Sequence, residues 1–335
     1  MYILGLESSC DETSAAVVEM GGGRRRILSN IVASQIDVHR LYGGVVPEIA
    51  SRAHIEAVSK ITREALDAAG VTLSDIGAVG VTAFPGLIGA LLVGVNFGKS
   101  LAYANNIPLV AVNHVHGHVS AALLENPELE PPFLALVVSG GHTSIYNVKS
   151  YTEFEEMGGT RDDAAGESFD KVGRVIGLPY PGGAALDKLA YEGDPNAITL
   201  PSPALAGENL DFSFSGLKTA ALNYINGAEQ RGEEIKCADM AASYTAAVTS
   251  AISKKVARAL EMTGAKHLVM AGGVAANSHL RREVGKVCAE KKVGFTCPPL
   301  SLCGDNAAMI AAAAYYEFLK GNLADTSLNA SACEP

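Results

Sequence analysis

The chain has 335 residues, of which 48% are hydrophobic and 19% are charged, and its formal net charge is -10 at pH 7. This length and hydrophobic content exclude an extended disordered protein and predict two well-buried domains rather than one. The negative charge excludes binding to nucleic acid through the average field of the molecule, so a nucleic-acid substrate would need a local basic patch or a partner subunit.

The cysteines and the apolar segments favour a cytoplasmic protein. The six cysteines form no CxxC motif and no paired framework, which predicts reduced thiols. The first residues run directly into a predicted strand and lack the basic start and long apolar core of a signal peptide. Residues 76–97 have no charged side chain and are long enough to span a bilayer, but five glycines and Pro85 favour a strand, a turn and a buried helix. We therefore expect a cytoplasmic protein without a membrane span.

One arrangement of strands occurs twice along the chain. Predicted strands at residues 2–7 and 15–19 flank the polar turn SSCDETS, and predicted strands at residues 133–139 and 144–148 flank the turn GGHT. The second arrangement follows the first by about 130 residues. The repeat predicts two copies of one fold.

Helices and strands alternate between and after these repeats. Residues 47–69 have a helical period, with a proline at the start and a glycine directly after the end, and residues 163–176 are also predicted to be helical. Further strands are predicted at residues 78–82 and 109–112, and residues 267–284 are predicted to form a strand, a glycine turn and a helix. This alternation predicts an α/β fold.

Three turns rich in glycine or serine follow predicted strands. Their sequences are ESSCDETS, SGGHTS and AGGVAANS. Ligands of α/β sheets bind at the carboxyl ends of strands, where glycines let backbone N–H groups approach a phosphate. One such turn is weak support for a site, but three with the same placement predict a nucleotide between two related domains.

The stretch NHVHGH contains three of the eight histidines. If it is helical, His114 and His118 lie four residues apart on one face, while His116 points elsewhere. Two imidazoles on one face suggest a divalent metal, which needs at least a third ligand. The alternative is a pair of histidines on a solvated helix surface.

Two charged segments admit either a structural or a functional interpretation. Asp170 and Asp187 flank the loop PYPGG, where a carboxylate could bind a substrate hydroxyl, although a solvated acidic helix explains the charge equally well. Arg24, Arg25 and Arg26 form a compact basic run between two apolar segments. We interpret the stretch GGGRRR, residues 21–26, as a solvated hairpin tip.

Longer motifs stand in a fixed order along residues 1–328. They are LGLESSCDETSAAVVE, YGGVVPEIASRAH, GLIGALLVG, NHVHGH, LVVSGGHTS, DDAAGESFDKVGR, YPGG, DFSFSGLKT, AGGVAANSHLR and CGDNAAMIA. Together they resemble the bacterial TsaD family, the tRNA adenosine threonylcarbamoyltransferases. The resemblance implies an α/β architecture of two duplicated actin-like, Hsp70-like (RNase H-like) domains around a nucleotide cleft. Residues 1–130 with a helix from 305–325 would form the first domain, and residues 131–304 the second, with a helical insertion.

The resemblance also implies an activity and partners. Such enzymes transfer the threonylcarbamoyl group from threonylcarbamoyl-adenylate to N6 of adenosine 37 in tRNAs that read codons beginning with adenine. The family works with a paralogous TsaB-like subunit and a small TsaE-like P-loop ATPase. Because this chain is acidic, we expect tRNA capture to need these partners, and residues 24–26 could contribute to tRNA or partner binding if they are not simply solvated.

The family's metal ligands match His114, His118 and Asp305. The metal is usually Fe²⁺ and sometimes Zn²⁺, and two imidazoles with one carboxylate leave open positions and suit either ion. Asp305 precedes the apolar run 306–316, so we expect it at a helix N-terminus. His116 is not expected to be a ligand. Gly304 stands where the family usually has threonine, which puts the metal affinity rather than the metal identity in doubt.

The family's substrate contacts match residues of the second half of the chain. Those around the phosphate are Val137, Val138, Ser139, Gly140 and Gly141. Those around the ribose are Asp170, Gly183 and Asp187, and Asn277 lies beyond the second glycine turn. Asp11 and Glu12 match the acidic pair of the first turn, and Asp11 is our candidate base or orienting group for the amine proton.

Three other functions are weighed against this one. A small-molecule kinase of the same fold would explain the phosphate turns but not the two histidines and Asp305. A metalloprotease would need the glutamate of HExxH, which HVHGH lacks. A non-catalytic nucleotide-binding scaffold would not need to keep a set of metal ligands.

Overall fold

The computed structural model describes residues 1–202 and 209–334, which divide into two compact units. The first unit contains Met1–Pro131, Lys149–Phe154 and the segment that begins at Pro298. The second unit contains Pro132–Val148 and Glu155–Cys297. Each unit is built on a five-stranded mixed sheet.

Strands and α-helices alternate along most of the described chain. The strands are β1 (Tyr2–Glu7), β2 (Glu12–Gly21), β3 (Arg24–Ser34), β4 (Ile76–Phe84), β5 (Leu109–Asn113), β6 (Phe133–Val138), β7 (Thr143–Ser150), β8 (Glu153–Gly159), β9 (His267–Ala271) and β10 (Gly294–Thr296). The helices are α1 (Ile36–Arg40), α2 (Pro47–Ala69), α3 (Ile88–Asn105), α4 (His114–Glu125), α5 (Ala165–Val175), α6 (Gly183–Leu189), α7 (Ser215–Arg231), α8 (Cys237–Thr263), α9 (Ser278–Lys291) and α10 (Ala307–Lys320). Within residues 1–202 and 209–334, none of the helices has the length and apolar character that a membrane span requires.

The first sheet has the strand order β3-β2-β1-β4-β5. Strand β1 pairs antiparallel with β2 and parallel with β4, and β4 pairs parallel with β5. The apolar sequence of β1 suits this central position, because its residues are buried on both faces of the sheet. On one face, Leu4 and Leu6 belong to a core that includes Ile61 of α2 and Val95 of α3.

Helix α10 covers the opposite face of the first sheet at very short range. A methyl group added at Gly5 of β1 would lie 2.2 Å from the carbonyl oxygen of Ala307, and one at Gly80 of β4 would lie 2.4 Å from Cβ of Ala314. At these two positions only glycine therefore fits beneath the helix, whose alanines also permit the close approach. Helix α10 packs against α4 as well. These contacts bring the residues that precede α10 beside the start of α4.

The second sheet repeats the plan of the first. Its strand order is β10-β9-β6-β7-β8, and the central strand β6 pairs antiparallel with β7 and parallel with β9. In both sheets, the central strand thus has an antiparallel hairpin partner on one side and two parallel strands on the other. The prediction of two copies of one α/β fold is confirmed.

Local sequence signals predicted several elements well. Helix α2 begins at Pro47 and ends before Gly70, which caps it in the left-handed conformation, as predicted. The uncharged segment 76–97 forms β4 and the first half of α3, also as predicted. The strand predicted at residues 15–19 is longer than expected, because β2 pairs with β3 from Glu12 onward and with β1 from Ser14 onward.

The hairpin predicted at GGGRRR is confirmed, and the glycines rather than the arginines form its tip. The turn between β2 and β3 is made by Gly21, Gly22 and Gly23, which all have positive φ. Glycine adopts this backbone conformation at little cost, whereas a residue with a side chain does not. The run of residues 24–26 is instead the first part of β3.

Candidate functional site

His114, His118 and Asp305 lie together in the first unit. One ligand atom from each residue can be chosen so that all three lie within 4.8 Å of one another. The Nε2 atoms of His114 and His118 are 3.6 and 3.2 Å from Oδ1 of Asp305. The two imidazole rings meet edge to face, with centroids 4.7 Å apart. Two imidazoles and one carboxylate form a donor set that suits a divalent transition metal.

Helix capping explains how the chain presents these three side chains. The side chain of Asn113 accepts two backbone hydrogen bonds from the first turn of α4, so the helix begins at His114. His118 follows one turn later on the same face. Asp305 immediately precedes Asn306, which caps α10, so it lies at a helix N-terminus as expected.

The imidazole of His118 lacks hydrogen bonds although it is only 1% exposed. Neither of its ring nitrogens has a hydrogen-bond partner among the described residues, and the approach of Nε2 to Asp305 does not form a hydrogen bond. A buried polar atom without a partner costs about 1–3 kcal/mol, so such atoms are rare in native proteins. A metal ion would give the lone pair of this imidazole a partner. The residues of the cluster therefore fit a divalent metal.

A buried carboxylate supports the cluster from β1. Oε2 of Glu7 lies 3.1 Å from Nδ1 of His114, and the hydroxyl of Thr82 donates to the same oxygen at 2.6 Å. The backbone N–H of Ser9 donates to Oε1 at 2.5 Å. The sequence analysis missed these three supporting residues. The available signal was a glutamate at the end of an otherwise apolar strand.

The carboxylates and imidazoles of this region strongly affect one another's ionisation. Burial, together with the charges of Asp305 and Asp11, raises the pKa of the Glu12 carboxyl to about 9. Burial lowers the pKa of His114, but the charges of Asp305 and Glu7 outweigh it and raise this pKa to about 9. Burial also acts to raise the pKa of Glu7, but the charge and hydrogen bond of His114 bring it below its usual value. The region is therefore a buried concentration of negative charge, which favours a cation.

The predicted acidic pair, Asp11 and Glu12, lies in the same unit as the cluster. Asp11 is in the turn after β1 and is buried, and Glu12 begins β2 and accepts a hydrogen bond from a serine hydroxyl at the end of β3. His54 fixes this turn, since its Nε2 is 3.0 Å from the carbonyl oxygen of Cys10 and its Nδ1 is 2.8 Å from the hydroxyl of Thr13. The catalytic role of the acidic pair stays a prediction.

The turn predicted to hold a phosphate follows β6 in the second unit. Val137 and Val138 end β6, and Ser139 closes the turn through a 2.8 Å hydrogen bond from its N–H to the carbonyl three residues later. Methyl groups built at Gly140 or Gly141 would meet no atom of the described residues within 4 Å. The turn therefore has an open side on which backbone N–H groups can approach an anion.

Two further glycines let other segments pack against the closed side of this turn. A methyl group at Gly166, in the first turn of α5, would lie 2.5 Å from the carbonyl oxygen of Ser139. One at Gly272, in the turn after β9, would lie 2.4 Å from the carbonyl oxygen of Val138. The carboxyl ends of β6 and β9 and the start of α5 thus meet in one place. The SGGHTS and AGGVAANS turns are therefore adjacent in the second unit.

The residues predicted to contact a ribose lie on α5, on α6 and before α9. Oδ1 of Asp170 accepts a hydrogen bond from the N–H of Gly183 at 2.9 Å. Asp187 accepts hydrogen bonds from two backbone N–H groups at the start of α9, at 3.1 and 3.4 Å, and Asn277 caps the same helix. These side chains therefore connect α5, α6 and α9, a structural role that the sequence did not reveal. Their contact with a ligand stays a prediction.

Solved structures share this fold at low sequence identity. HypF from T. kodakarensis superposes with a TM-score of 0.64 and 14% identity, over 98% of this chain and 49% of that protein. Component A of (R)-2-hydroxyglutaryl-CoA dehydratase from Acidaminococcus fermentans superposes with a TM-score of 0.56 and 14% identity, over 96% of this chain and 98% of that protein. At this identity the likeness shows the fold alone, and it confirms the expected duplicated actin-like architecture.

Sequence comparison gives closer matches. A family profile described as TsaD, tRNA N6-adenosine threonylcarbamoyltransferase, matches residues 26–312. A protein of Clostridium perfringens strain SM101 that bears the name tRNA N6-adenosine threonylcarbamoyltransferase is 53% identical over 328 residues, which cover 98% of this chain and 96% of that protein. The chain therefore belongs to the TsaD family of tRNA N6-adenosine threonylcarbamoyltransferases.

Proposed function

We propose that this chain transfers the threonylcarbamoyl group from threonylcarbamoyl-adenylate to N6 of adenosine 37 in tRNAs that read codons beginning with adenine, with release of AMP. The observation that carries the proposal is the cluster of His114, His118 and Asp305 in a chain of the TsaD family. A scaffold or a small-molecule kinase of the same fold would have no use for this cluster.

The three residues of the cluster would hold one divalent metal ion. We propose Fe²⁺ as this ion, with Zn²⁺ as the alternative. His118 would contribute the nitrogen that has no hydrogen-bond partner among the described residues, and Asp305 the carboxylate 3.2 Å from it. When bound, the ion would supply Lewis-acid polarisation of the carbonyl that is attacked. Both imidazoles are buried, which excludes most competing water from the donor atoms.

Asp11 is our candidate for the group that accepts or orients the amine proton, with Glu12 beside it. The exocyclic amine of adenine is a poor nucleophile because its lone pair is delocalised into the ring, so a positioned carboxylate would assist its attack. Asp11 is buried in the turn after β1, in the unit that holds the metal cluster. This position and the match to the family's acidic pair support the assignment.

The second unit would hold the adenylate. The residues proposed to surround the phosphate are Val137, Val138, Ser139, Gly140 and Gly141. The residues proposed to contact the ribose and its surroundings are Asp170, Gly183, Asp187 and Asn277. The open side of the turn after β6 supports the phosphate site, because backbone N–H groups there can stabilise the departing AMP without a charged side chain.

We also propose the partners and the compartment. Capture of tRNA would involve a TsaB-like paralogous subunit and a TsaE-like P-loop ATPase, since the net charge of -10 opposes binding of nucleic acid by this chain alone. The target adenosine lies in a single-stranded loop, from which a base leaves the stack at lower cost than from a duplex. The cysteines are free thiols in the described structure, which suits the cytoplasm.

The proposal is tested with unmodified tRNA, chemically made threonylcarbamoyl-adenylate and metal-loaded protein, with and without the two partner proteins. Nucleosides from the digested tRNA are analysed by mass spectrometry. We expect threonylcarbamoyl-adenosine with the wild-type protein and none above background with His118→Ala. His267→Gln is the matched control, because this imidazole lies on β9 and contacts the hydroxyl of Thr296 at 2.7 Å, outside the cluster.

Two outcomes would contradict the proposal. The first is the absence of product when folded protein, metal and both partners are present. The second is equal product from wild-type protein and His118→Ala. Phosphorylation of a small acid or sugar by the same preparation with ATP would favour the kinase instead.

A further inference from the structure

Glu7 is a buried carboxylate that the chain surrounds with donors. It is 1% exposed and ends β1. The backbone N–H of Ser9 donates to Oε1 at 2.5 Å, and the hydroxyl of Thr82 donates to Oε2 at 2.6 Å. Moving a carboxylate charge out of water costs free energy unless hydrogen bonds and an opposite charge compensate for the lost hydration. Among the described residues, its one ion-pair partner is the imidazole of His114, with Nδ1 at 3.1 Å.

We propose that Glu7 is a positioning residue for the metal site. Its carboxylate accepts a hydrogen bond from Nδ1–H of His114 and thereby directs the unprotonated Nε2 of this ring toward the metal. This inference rests on the metal site proposed above. A neutral imidazole carries one N–H, so a carboxylate at Nδ1 places the lone pair on Nε2. That nitrogen is the one on the side of Asp305, 3.6 Å from its carboxylate.

Ser9 and Thr82 keep Glu7 in this position. Thr82 is fully buried on β4, and its hydroxyl points to the carboxylate from the neighbouring parallel strand. The hydroxyl of Ser9 lies 3.1 Å from Nδ1 of His114, the same distance as Oε2 of Glu7. An ionised carboxylate is the stronger acceptor of the two, so it takes the imidazole N–H.

The metal affinity of the site follows from this arrangement. A carboxylate bonded to the second nitrogen of a ligating histidine fixes the ring and raises the basicity of the nitrogen that binds the metal. If Glu7 served only to balance the charge of a buried His114, its removal would change stability but leave the metal affinity and the tautomer of the ring unchanged. Affinity and tautomer therefore separate the two roles.

The first experiment measures the Co²⁺ affinity of purified full-length protein by its d–d absorption in competition with a chelator. We expect Glu7→Gln, which keeps the shape but not the charge, to weaken the affinity roughly 10–100-fold. Thr82→Val, which removes one support of the carboxylate, should weaken it less but in the same direction. Thr62→Val is the control, because this buried hydroxyl of α2 donates at 2.8 Å to the carbonyl of Val58 and touches none of the cluster.

The second experiment records histidine ¹⁵N spectra of the metal-free protein at a pH at which the imidazoles are neutral, because a metal ion on Nε2 would by itself fix the proton on Nδ1. The wild type should show the Nδ1–H tautomer for His114, and Glu7→Gln should show a loss of this tautomer. Unchanged affinity and an unchanged tautomer in Glu7→Gln overturn the inference. If that variant does not fold, an unchanged Co²⁺ affinity in Thr82→Val overturns it.

A further variant separates this inference from the proposed metal site. His118→Ala should abolish the Co²⁺ absorption that the wild type shows. If the wild type shows no absorption that depends on His118, both the metal site and the role of Glu7 are overturned. If the wild type shows it and Glu7→Gln retains full affinity, the metal site stands and only the role of Glu7 is overturned.

Discussion

The imidazole of His118 is a single side chain whose structure favours ligand binding over stability. Both ring nitrogens are buried without a hydrogen-bond partner among the described residues. Replacement by a leucine of similar size removes two unsatisfied polar atoms, which is neutral or stabilising. We expect metal-free His118→Leu to be as stable as the wild type or more stable by about 0.5–2 kcal/mol, and to gain nothing from added Zn²⁺. Urea unfolding with a chelator and with Zn²⁺ measures both effects.

His54 provides the control for this experiment. It is equally buried, but its two ring nitrogens lie 2.8 and 3.0 Å from the hydroxyl of Thr13 and the carbonyl of Cys10. His54→Leu leaves this hydroxyl and this carbonyl without their hydrogen bonds, and we expect it to lower the free energy of unfolding by about 1–3 kcal/mol. Equal losses in His54→Leu and metal-free His118→Leu would show that the missing hydrogen bonds of His118 do not matter.

His54 also makes the stability of the protein depend on pH. Burial lowers its pKa below the usual value of 6.5, although the hydrogen bond to Cys10 and nearby carboxylates oppose this. The pKa of His54 is higher in the unfolded chain, so the unfolded state binds the proton at a higher pH than the folded state does. The contribution of the neutral imidazole to the free energy of unfolding is therefore lost as the pH falls below about 6.5. Between about pH 7.5 and 5.5, metal-loaded wild type should lose stability more steeply than His54→Gln, by at most about 1.4 kcal/mol per pH unit. Parallel curves would contradict this assignment.

Arg25 of β3 binds the carbonyl groups at the C-terminal end of α4. Its Nη1 donates to the carbonyl oxygens of Leu123, Asn126 and Leu129, each at 3.2 Å, and its Nη2 donates to the hydroxyl of Tyr151 at 3.2 Å. The last carbonyls of a helix lack partners and carry its negative end, so a guanidinium stabilises them. Lysine keeps the charge but not the several donors. We expect Arg25→Lys to lower the free energy of unfolding by about 1–3 kcal/mol in urea.

The adjacent Arg26 is an exposed residue of the same strand and gives a matched control. Arg26→Lys should change the free energy of unfolding by less than about 0.5 kcal/mol. The sequence offered two interpretations of the arginine run, a solvated surface or a contact to tRNA or a partner. The bonds of Arg25 belong to neither. If Arg25→Lys were as stable as Arg26→Lys, the hydrogen bonds of Arg25 to the end of α4 would not contribute to the free energy of unfolding.

The contact between α10 and the first sheet links packing to the metal cluster. A methyl group at Gly80 would overlap Cβ of Ala314 at 2.4 Å, so Gly80→Ala must push α10 away or distort β4. Overpacking of this kind costs about 1–3 kcal/mol. Because Asp305 lies at the start of α10, we expect weaker Zn²⁺ binding as well as a lower melting temperature.

A second glycine on a helix tests whether this effect comes from crowding. A methyl group at Gly216, in the first turn of α7, would meet no described atom within 4 Å. Gly216→Ala should therefore be neutral or stabilising by up to about 1 kcal/mol, with unchanged Zn²⁺ affinity. Unchanged Zn²⁺ affinity in Gly80→Ala would show that the position of α10 does not control the cluster.

The same elements show how far sequence can predict this structure. The limits of α2 and the presentation of His114 and His118 on one helix face follow from local caps and helical spacing, so they were predictable. The pairing of Glu7 with His114 joins residues 107 positions apart, and the bonds from Asp187 to α9 span 91 positions. No local pattern reports such contacts, because they arise only when the sheet is assembled. The resemblance to a family located Asp305, but it did not indicate the support from β1.

The lysines and arginines are unevenly distributed along the chain. Residues 254–292 carry nine of the 26 lysines and arginines but only three acidic residues. The basic residues are Lys254, Lys255, Arg258, Lys266, Arg281, Arg282, Lys286, Lys291 and Lys292. Several pair with carboxylates on the same helices, including Lys286 with Glu283, and Lys291 joins the end of α9 to Glu261 of α8. The second unit therefore has one segment of positive charge in an acidic chain.

This distribution predicts how the isolated chain binds tRNA. With a net charge of -10, it should bind tRNA only weakly, with a Kd of about 10⁻⁴–10⁻⁶ M at physiological salt, and the residual affinity should come from this basic segment. Reversing two exposed lysines there, with Lys254→Glu and Lys266→Glu together, should weaken binding several-fold and reduce the dependence on salt by about one to two counterions. Reversing Lys60 and Lys320, two exposed lysines of the first unit, changes the net charge equally and should have little effect. Fluorescence anisotropy with labelled tRNA over a range of salt concentrations measures both double variants. Because the variants are matched in net charge, an equal loss would assign the interaction to the average field of the molecule, and a selective loss would assign it to residues 254–292.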